Sequence, residues 1–191
     1  MKYPNGLNKD YKKNINYKNR GMNLEDDINL ANEYYLIHNI ASIYKKPTPI
    51  GIVKVDNSGI IHEAYFKTPS TTDYNGIYKG KYIDFEAKET IENNFPLKNI
   101  HEHQIKHLNT ISNMGGIGFI IVSFVKLEKT FILSNYYLQK FMSSNTRKSI
   151  PLKYFEDYGY IVNYKLNPRL DYLKIVDILL EGENNEFKEN N

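Results

Sequence analysis

Apolar residues recur at two periods along this chain. From Asn23 onward Leu24, Ile28, Ala31 and Tyr35 follow at spacings of four, three and four, behind a residue suited to cap a helix, and predict a first helix. Residues 41–44, 50–55 and 59–66 are rich in apolar and β-branched types and predict strands. The last two flank Asp56, Asn57, Ser58 and Gly59, so they predict a hairpin. Residues 68–76 are polar and predict a loop, and residues 81–88 a strand. Asn99 with Glu102 is a capping-box signal for a helix ending at Gly115 and Gly116. The near-continuous apolar run 117–125 then predicts a buried central strand of the parallel type. A short strand over 130–133 and a helix over 135–142 follow. Asn167 and Pro168 predict the start of a final helix through Leu180, with Leu170, Leu173, Val176 and Leu180 inward. No internal repeat is visible, and the element order predicts an α/β sheet layered by helices.

The strand string IDFEAKET carries the candidate chemistry. Residues two apart in a strand share a face, so Asp84, Glu86 and Lys88 lie together while Ile83, Phe85 and Ala87 point the other way. Asp73 lies eleven residues before Asp84, in a loop that an Asn75-Gly76 turn could fold back beside the strand. Converging carboxylates repel one another unless a divalent cation neutralises them. A metal-activated water beside a lysine suits phosphodiester hydrolysis, because the metal polarises the phosphoryl oxygen and the ammonium offsets developing charge. An Asp, a gap and Glu-x-Lys is the nuclease pattern PD-(D/E)xK. On spacing alone, a charged strand facing solvent is the competing reading.

Composition narrows the class. With 191 residues, 41% hydrophobic and 25% charged, the chain fits one soluble folded domain. Its longest apolar runs, 117–125 and 175–180, fall short of the roughly 20 residues that span a bilayer, so no membrane partner is expected. The first 20 residues lack the apolar stretch of a signal peptide, which predicts a cytoplasmic protein. Zero cysteines exclude disulfides, thiol nucleophiles and Cys-type zinc sites, leaving oxygen ligands and histidines, and a hard cation as the natural metal. His103 and His107 share a helix face, but no third ligand follows at metal spacing and His101 lies nearly opposite His103, so zinc is not expected. Gly115-Gly116-x-Gly118 follows a helix and precedes a strand, the reverse of a dinucleotide fingerprint, and reads as a helix stop. The net charge is only +3, yet the ends are opposite in sign. A basic arm over 1–20, with Tyr3, Tyr11 and Tyr17, suits phosphates and exposed bases, though a solvated tail fits equally. The stretch 182–191 reads as an acidic disordered tail after a domain over 21–181.

Several strings bear on function together: RGMNLE at 20–25, KKPTPI at 45–50, EAYFKTPSTTDYNG at 63–76, YIDFEAKET at 82–90, FPLKNIHEHQ at 95–104 and PRLDYLK at 168–174. In order and spacing they closely resemble the RecU family of bacterial Holliday-junction resolvases. The resemblance implies a restriction-endonuclease-like mixed β-sheet flanked by helices, with a protruding β-hairpin stalk at about 59–72. It implies that Asp73 and Glu86 are metal carboxylates, that Thr71 and Gln104 complete a Mg²⁺ site in which Mn²⁺ can substitute, that Lys88 stabilises the transition state, and that Asp84 assists nearby. Tyr65 and Phe66, on the stalk, would stack on bases at the crossover, with core packing as the alternative for each ring. Arg20, Glu25, Glu63 and Lys67 are further positions expected near the DNA, Glu25 resembling the extra acid such nucleases place near the metal. Two departures stand out: Lys67 replaces an arginine before TPS, and the N-terminal arm is short. Lysine cannot form the bidentate phosphate fork.

The activity implied is magnesium-dependent resolution of four-way junctions by paired symmetric nicks in recombination and repair. One chain supplies one site, so paired nicking implies a homodimer with two-fold symmetry. A recombinase and a branch-migration helicase are possible protein partners. Two alternatives remain: a restriction-type duplex endonuclease with the same metal site, and a junction-binding recombination modulator that cuts little. Intact Asp73, Glu86 and Lys88 weigh against the modulator.

Overall fold

A computed structural model describes residues 23–67, 71–144 and 146–189. Helix α1 (Leu24–Ile37) begins where the sequence caps it: the Asn23 side-chain oxygen accepts from the Asp26 N–H at 2.9 Å, and Glu25, Asp26 and Asp27 load the first turn with charge that suits the helix dipole. Leu24, Ile28, Ala31 and Tyr35 are all buried, as their spacing requires. Strands β1 (Ala41–Lys45), β2 (Ile50–Val55), β3 (Ile61–Phe66), β4 (Tyr74–Tyr78), β5 (Lys81–Thr90) and β6 (Asn94–Pro96) lead to helix α2 (Glu102–Asn113). The remainder is β7 (Ile117–Phe124), β8 (Lys129–Ser134), α3 (Asn135–Ser144), β9 (Ser149–Pro151), α4 (Leu152–Tyr158), β10 (Tyr160–Val162) and α5 (Leu173–Glu189).

The main sheet has the order β1-β4-β5-β7-β8-β10. Among the described residues only β5 and β7 pair in parallel, in register from Ile83↔Ile117 to Thr90↔Phe124, and α2 makes the crossover between them. This is the expected mixed α/β sheet flanked by helices. β7 is buried along its whole length because each face meets a helical layer. On one face Phe85, Phe119 and Ile121 pack with Leu24, Ile28 and Tyr35 of α1 and with Leu173 and Val176 of α5. On the other, Ile120, Val122 and Leu133 pack with Leu108, Leu138, Phe141 and Phe155 of α2, α3 and α4. Stacked rings of Tyr74, Phe85 and Phe119 tie three strands together on the first face.

β2 and β3 form a separate two-stranded sheet. Every residue of β3 is exposed, and in β2 Gly51 alone is buried. The hairpin therefore starts at Ile50, ahead of the 59–72 span expected for the stalk, and its tip is the turn around Asp56–Ile60. Asp56 stitches that turn, accepting from the Ser58 and Ile60 N–H groups at 2.9 and 3.0 Å and pairing with His62 at 2.8 Å. The Ser58 hydroxyl first, then His62 and the Ile60 N–H, hold its carboxyl well below the usual range. Tyr65 and Phe66 lie at the base, opposite Gly51 and Ile50. At 57% and 77% exposure, they are not core residues.

Three elements, β4, α2 and α5, depart from the sequence-based expectations. Residues 74–76 belong to β4, and Asn75 and Gly76 lie inside it; the chain turns instead at Lys79 and Gly80, both at positive φ. Gly76 is there for closeness, since a Cβ would sit 2.1 Å from the Ser42 carbonyl oxygen on β1. The cap of α2 is His101, with Gln104 reaching back to its N–H, in place of Asn99 and Glu102. Residues 168–172 run irregularly after a cis Asn167-Pro168 bond, so the last helix starts at Leu173 although Leu170 is still buried. That helix continues to Glu189, through most of the stretch expected to be a disordered tail. The basic arm over 1–20, Arg20 with it, lies outside the described residues.

Candidate active site at the head of the central strands

β5 splits its side chains as its alternation dictates. Ile83, Phe85 and Ala87 enter the α1/α5 core, while Asp84, Glu86 and Lys88 emerge toward the N-terminal half of α2. Neither Asp84 nor Glu86 is exposed to solvent, so both carboxylates must be satisfied by protein groups or by an ion. The polar face of this strand is enclosed by protein at Asp84 and Glu86 and is no solvated surface.

Glu86 sits at the centre. Its Oε2 accepts from the Asp73 N–H at 3.1 Å, and its Oε1 accepts from the Gln104 amide at 2.7 Å and lies 2.5 Å from the Lys88 ammonium. Asp73, just ahead of β4, turns its own carboxylate to the Ala87 N–H at 3.2 Å. Burial and the nearby Asp73 charge push the Glu86 carboxyl up to about 7, against the pull of Lys88. The half-buried Asp73 carboxylate and the buried Glu86 carboxyl thus lie close together, in a setting that disfavours charge on Glu86. The donor set fits a divalent cation: it is all oxygen, and a cation would relieve that repulsion. No group of three or more His, Asp or Glu side chains among the described residues forms a cage, so waters and neutral oxygens would have to complete a coordination sphere.

Of those neutral donors, Thr71 is exposed next to the pair, and its hydroxyl accepts from Lys46 at 3.0 Å. Gln104 is buried against Glu86, but its amide oxygen accepts from the His101 N–H at 2.9 Å while its nitrogen faces the carboxylate. The sequence reading aimed the oxygen at the cluster.

Asp84 lies deeper. Thr72 donates to its Oδ1, and its Oδ2 is approached by Lys46 at 2.7 Å, Tyr82 at 3.1 Å and His107 at 3.0 Å. Lys46, Thr72, Tyr82 and His107 were not singled out for this site from sequence. Tyr82 could have been, lying two residues before Asp84 on the same strand face; Lys46 is 38 positions away, and no local pattern marks it. Of the remaining candidates, Glu25 is half exposed and paired with Lys45, and Glu63 and Lys67 are exposed on the hairpin side. A cleft of about 360 Å³ lined by Asn23, Leu24, Glu25, Ala87, Lys88 and Glu89 opens beside Lys88, and Glu89 accepts from the Leu24 N–H at 2.8 Å.

The site thus sets a buried and a half-buried carboxylate, with a lysine two residues along the same strand as the first, on a mixed sheet beside the β5–β7 crossover. The sequence profile of the family described as "Recombination protein U" matches residues 19–178, and the chain belongs to that family, RecU. Proteins named "Holliday junction resolvase RecU" from Pediococcus pentosaceus and Geobacillus sp. are 53% and 49% identical to it, covering 87% and 93% of this chain and 87% and 96% of their own. The protein of that name from Ligilactobacillus salivarius is 47% identical over 93% of this chain and 97% of its own. A solved structure of Archaeoglobus fulgidus Hjc, described as a Holliday junction resolvase, aligns at a TM-score of 0.45 and 12% identity over 72% of this chain and 92% of its own.

Proposed function

We propose that the chain is a divalent-metal-dependent endonuclease that resolves four-way DNA junctions by paired nicks, with Mg²⁺ as the working ion. The observation that carries this reading is the buried Glu86 carboxyl set against the half-buried Asp73, with Lys88 beside it. The family membership supports it, and the relatives' printed names supply the junction as the substrate to test.

When bound, a divalent cation supplies an activated water and polarises the scissile phosphoryl group. Asp73 and Glu86 would hold it, with Thr71 and Gln104 as candidate neutral oxygen donors. Lys88, whose ammonium now rests on Glu86, is freed to face the phosphate once that carboxylate's charge is taken up elsewhere. Glu86 would hold an ion as the carboxylate, so its raised proton affinity makes metal holding compete with its proton below about pH 7. Ala87 and Asp73 offer backbone N–H groups that fix the two carboxylates in place, so the pair is preorganised by the sheet itself.

The β2–β3 hairpin supplies what a phosphodiesterase site lacks, a means to read shape. Ile52, Val53, Val55, Ile60, Tyr65 and Phe66 are all exposed on it, an apolar surface that a free monomer would not keep without a partner. We place the crossover of the junction against this hairpin, with two copies of the chain needed to nick opposing strands. The test is a labelled four-way junction incubated with the protein, with and without Mg²⁺. Symmetric nicks that require the ion support the reading; junction binding without cleavage at any divalent ion concentration overturns it.

A further inference from the structure

Lys46 directly follows β1, and its backbone N–H donates to the Asp73 carbonyl at 2.8 Å. Its side chain is largely buried at 14% exposure. The ammonium donates to three oxygens: Thr72 Oγ1 at 2.6 Å, Asp84 Oδ2 at 2.7 Å and Thr71 Oγ1 at 3.0 Å. An ammonium has three protons, so its donors are fully used. Asp84 is equally saturated, by Lys46, Thr72, Tyr82 and His107, which leaves it no open face for a metal. The His107 ring nitrogen lies 3.4 Å from the Lys46 ammonium and completes the enclosure.

This cluster ties the segment just ahead of the β4–β5 ladder, which begins at Tyr74↔Phe85, to both β5 and α2. Residues 71–73 carry Asp73 and follow the hairpin, β5 carries Glu86, and α2 carries Gln104 and His107. We propose that Lys46 is a positioning residue: neutralised by Asp84, its ammonium pins the 71–73 segment to β5 and so sets Asp73 opposite Glu86 for metal binding. Asp84 is then the anchor of this pin and does not ligate the ion. The inference rests on the metal reading above. It adds a residue that touches neither substrate nor the reacting atoms, yet governs how tightly the ion is held.

Lys46→Met keeps the stem and removes the charge, but it leaves Asp84 buried and unpaired, which alone can unfold a domain. The decisive variant is therefore Lys46→Met combined with Asp84→Asn, which removes both charges. Divalent-ion affinity is read by calorimetry with Mg²⁺ and Mn²⁺, alongside the melting temperature and metal-free junction binding. The expected result is metal affinity weakened about tenfold or more, the usual effect of losing a group that orients ligands, with melting and metal-free junction affinity close to wild type. At saturating ion the cleavage rate should recover toward wild type, which a contact to the reacting phosphate would not allow. Wild-type metal affinity in the double variant overturns the role of Lys46 while leaving the nuclease reading intact. So does a loss confined to junction binding, which would make Lys46 a DNA contact. If the unaltered chain binds no divalent ion, the metal reading falls and this inference falls with it.

Discussion

The backbone N–H of Asp73 donates to Glu86 Oε2 at 3.1 Å, so the residue that supplies one carboxylate also holds the other. This contact crosses the β4–β5 pair at Tyr74↔Phe85, where the sheet ladder fixes it. Replacing Asp73 with Asn keeps the backbone donor and removes only charge. Cleavage in Asp73→Asn is expected to drop below detection while metal-free junction binding stays within about twofold, because the lost group faces the ion and not the phosphate backbone. Gel-shift and cleavage assays on one preparation measure both, and retained cleavage would remove Asp73 from the metal site.

Lys88 is expected to act on rate. Lys88→Ala should lower the rate by about a hundredfold or more, on the order of 3 kcal/mol, with junction affinity little changed, since its charge matters most where negative charge develops. Single-turnover cleavage at saturating protein reads this directly. A fall below about tenfold would make Lys88 a partner of Glu86 and no more.

The Glu86 carboxyl, raised from 4.5 to about 7, predicts a sign for the pH dependence of the metal-free chain. A carboxyl that holds its proton more tightly in the folded state contributes stability below its unfolded value, and that contribution is lost as pH rises toward 7 and beyond. In EDTA, wild type should therefore lose up to a few kcal/mol relative to Glu86→Gln between about pH 4.5 and 8. Added divalent ion should cancel the loss at the upper end. Denaturant midpoints for the two proteins across this range, with and without Mg²⁺, check it; parallel pH curves would show that Glu86 is not destabilised by its surroundings.

The fold and the site differ in how far the sequence exposes them. Period-two alternation in IDFEAKET placed Asp84, Glu86 and Lys88 on one face, and the burial of Ile83 and Phe85 on the other confirms the register. The α1 face was equally plain, because four apolar residues and a cap agree. β4 was hidden, since Asn-Gly is the commonest mark of a turn; here the glycine serves the close approach of β1, a tertiary demand with no local trace. The same holds for Lys46, whose partners lie 25 to 61 residues away. The cap of α2 was misplaced by two residues because Gln104 closes the box with its amide oxygen while its nitrogen reaches Glu86, a long-range partner with no local trace.

Gly76 makes a stability prediction. A methyl group there would meet the Ser42 carbonyl at 2.1 Å and the Ile43 Cα at 2.6 Å, both backbone atoms that cannot swing aside. Gly76→Ala should destabilise by roughly 1–3 kcal/mol or more through displacement of β1, and weaken metal binding with it, because Lys46 follows that strand. Chemical denaturation measures the first and calorimetry the second. An unchanged denaturation midpoint would mean that β1 yields freely.

The proposed roles, cutting at Asp73, Glu86 and Lys88 and selection by the exposed β2–β3 hairpin, are tested together on one substrate. The most direct measurement compares the unaltered chain with Tyr65→Ala/Phe66→Ala on a four-way junction and on linear duplex of the same sequence, in Mg²⁺, with nick positions mapped on all four strands. The account predicts paired symmetric nicks on the junction and little cutting of duplex by the unaltered chain. In the double variant, junction cutting should fall sharply while Mg²⁺ affinity and melting are retained. Equal cutting of junction and duplex by the unaltered chain, or a variant that cuts junctions as well as it does, would contradict it.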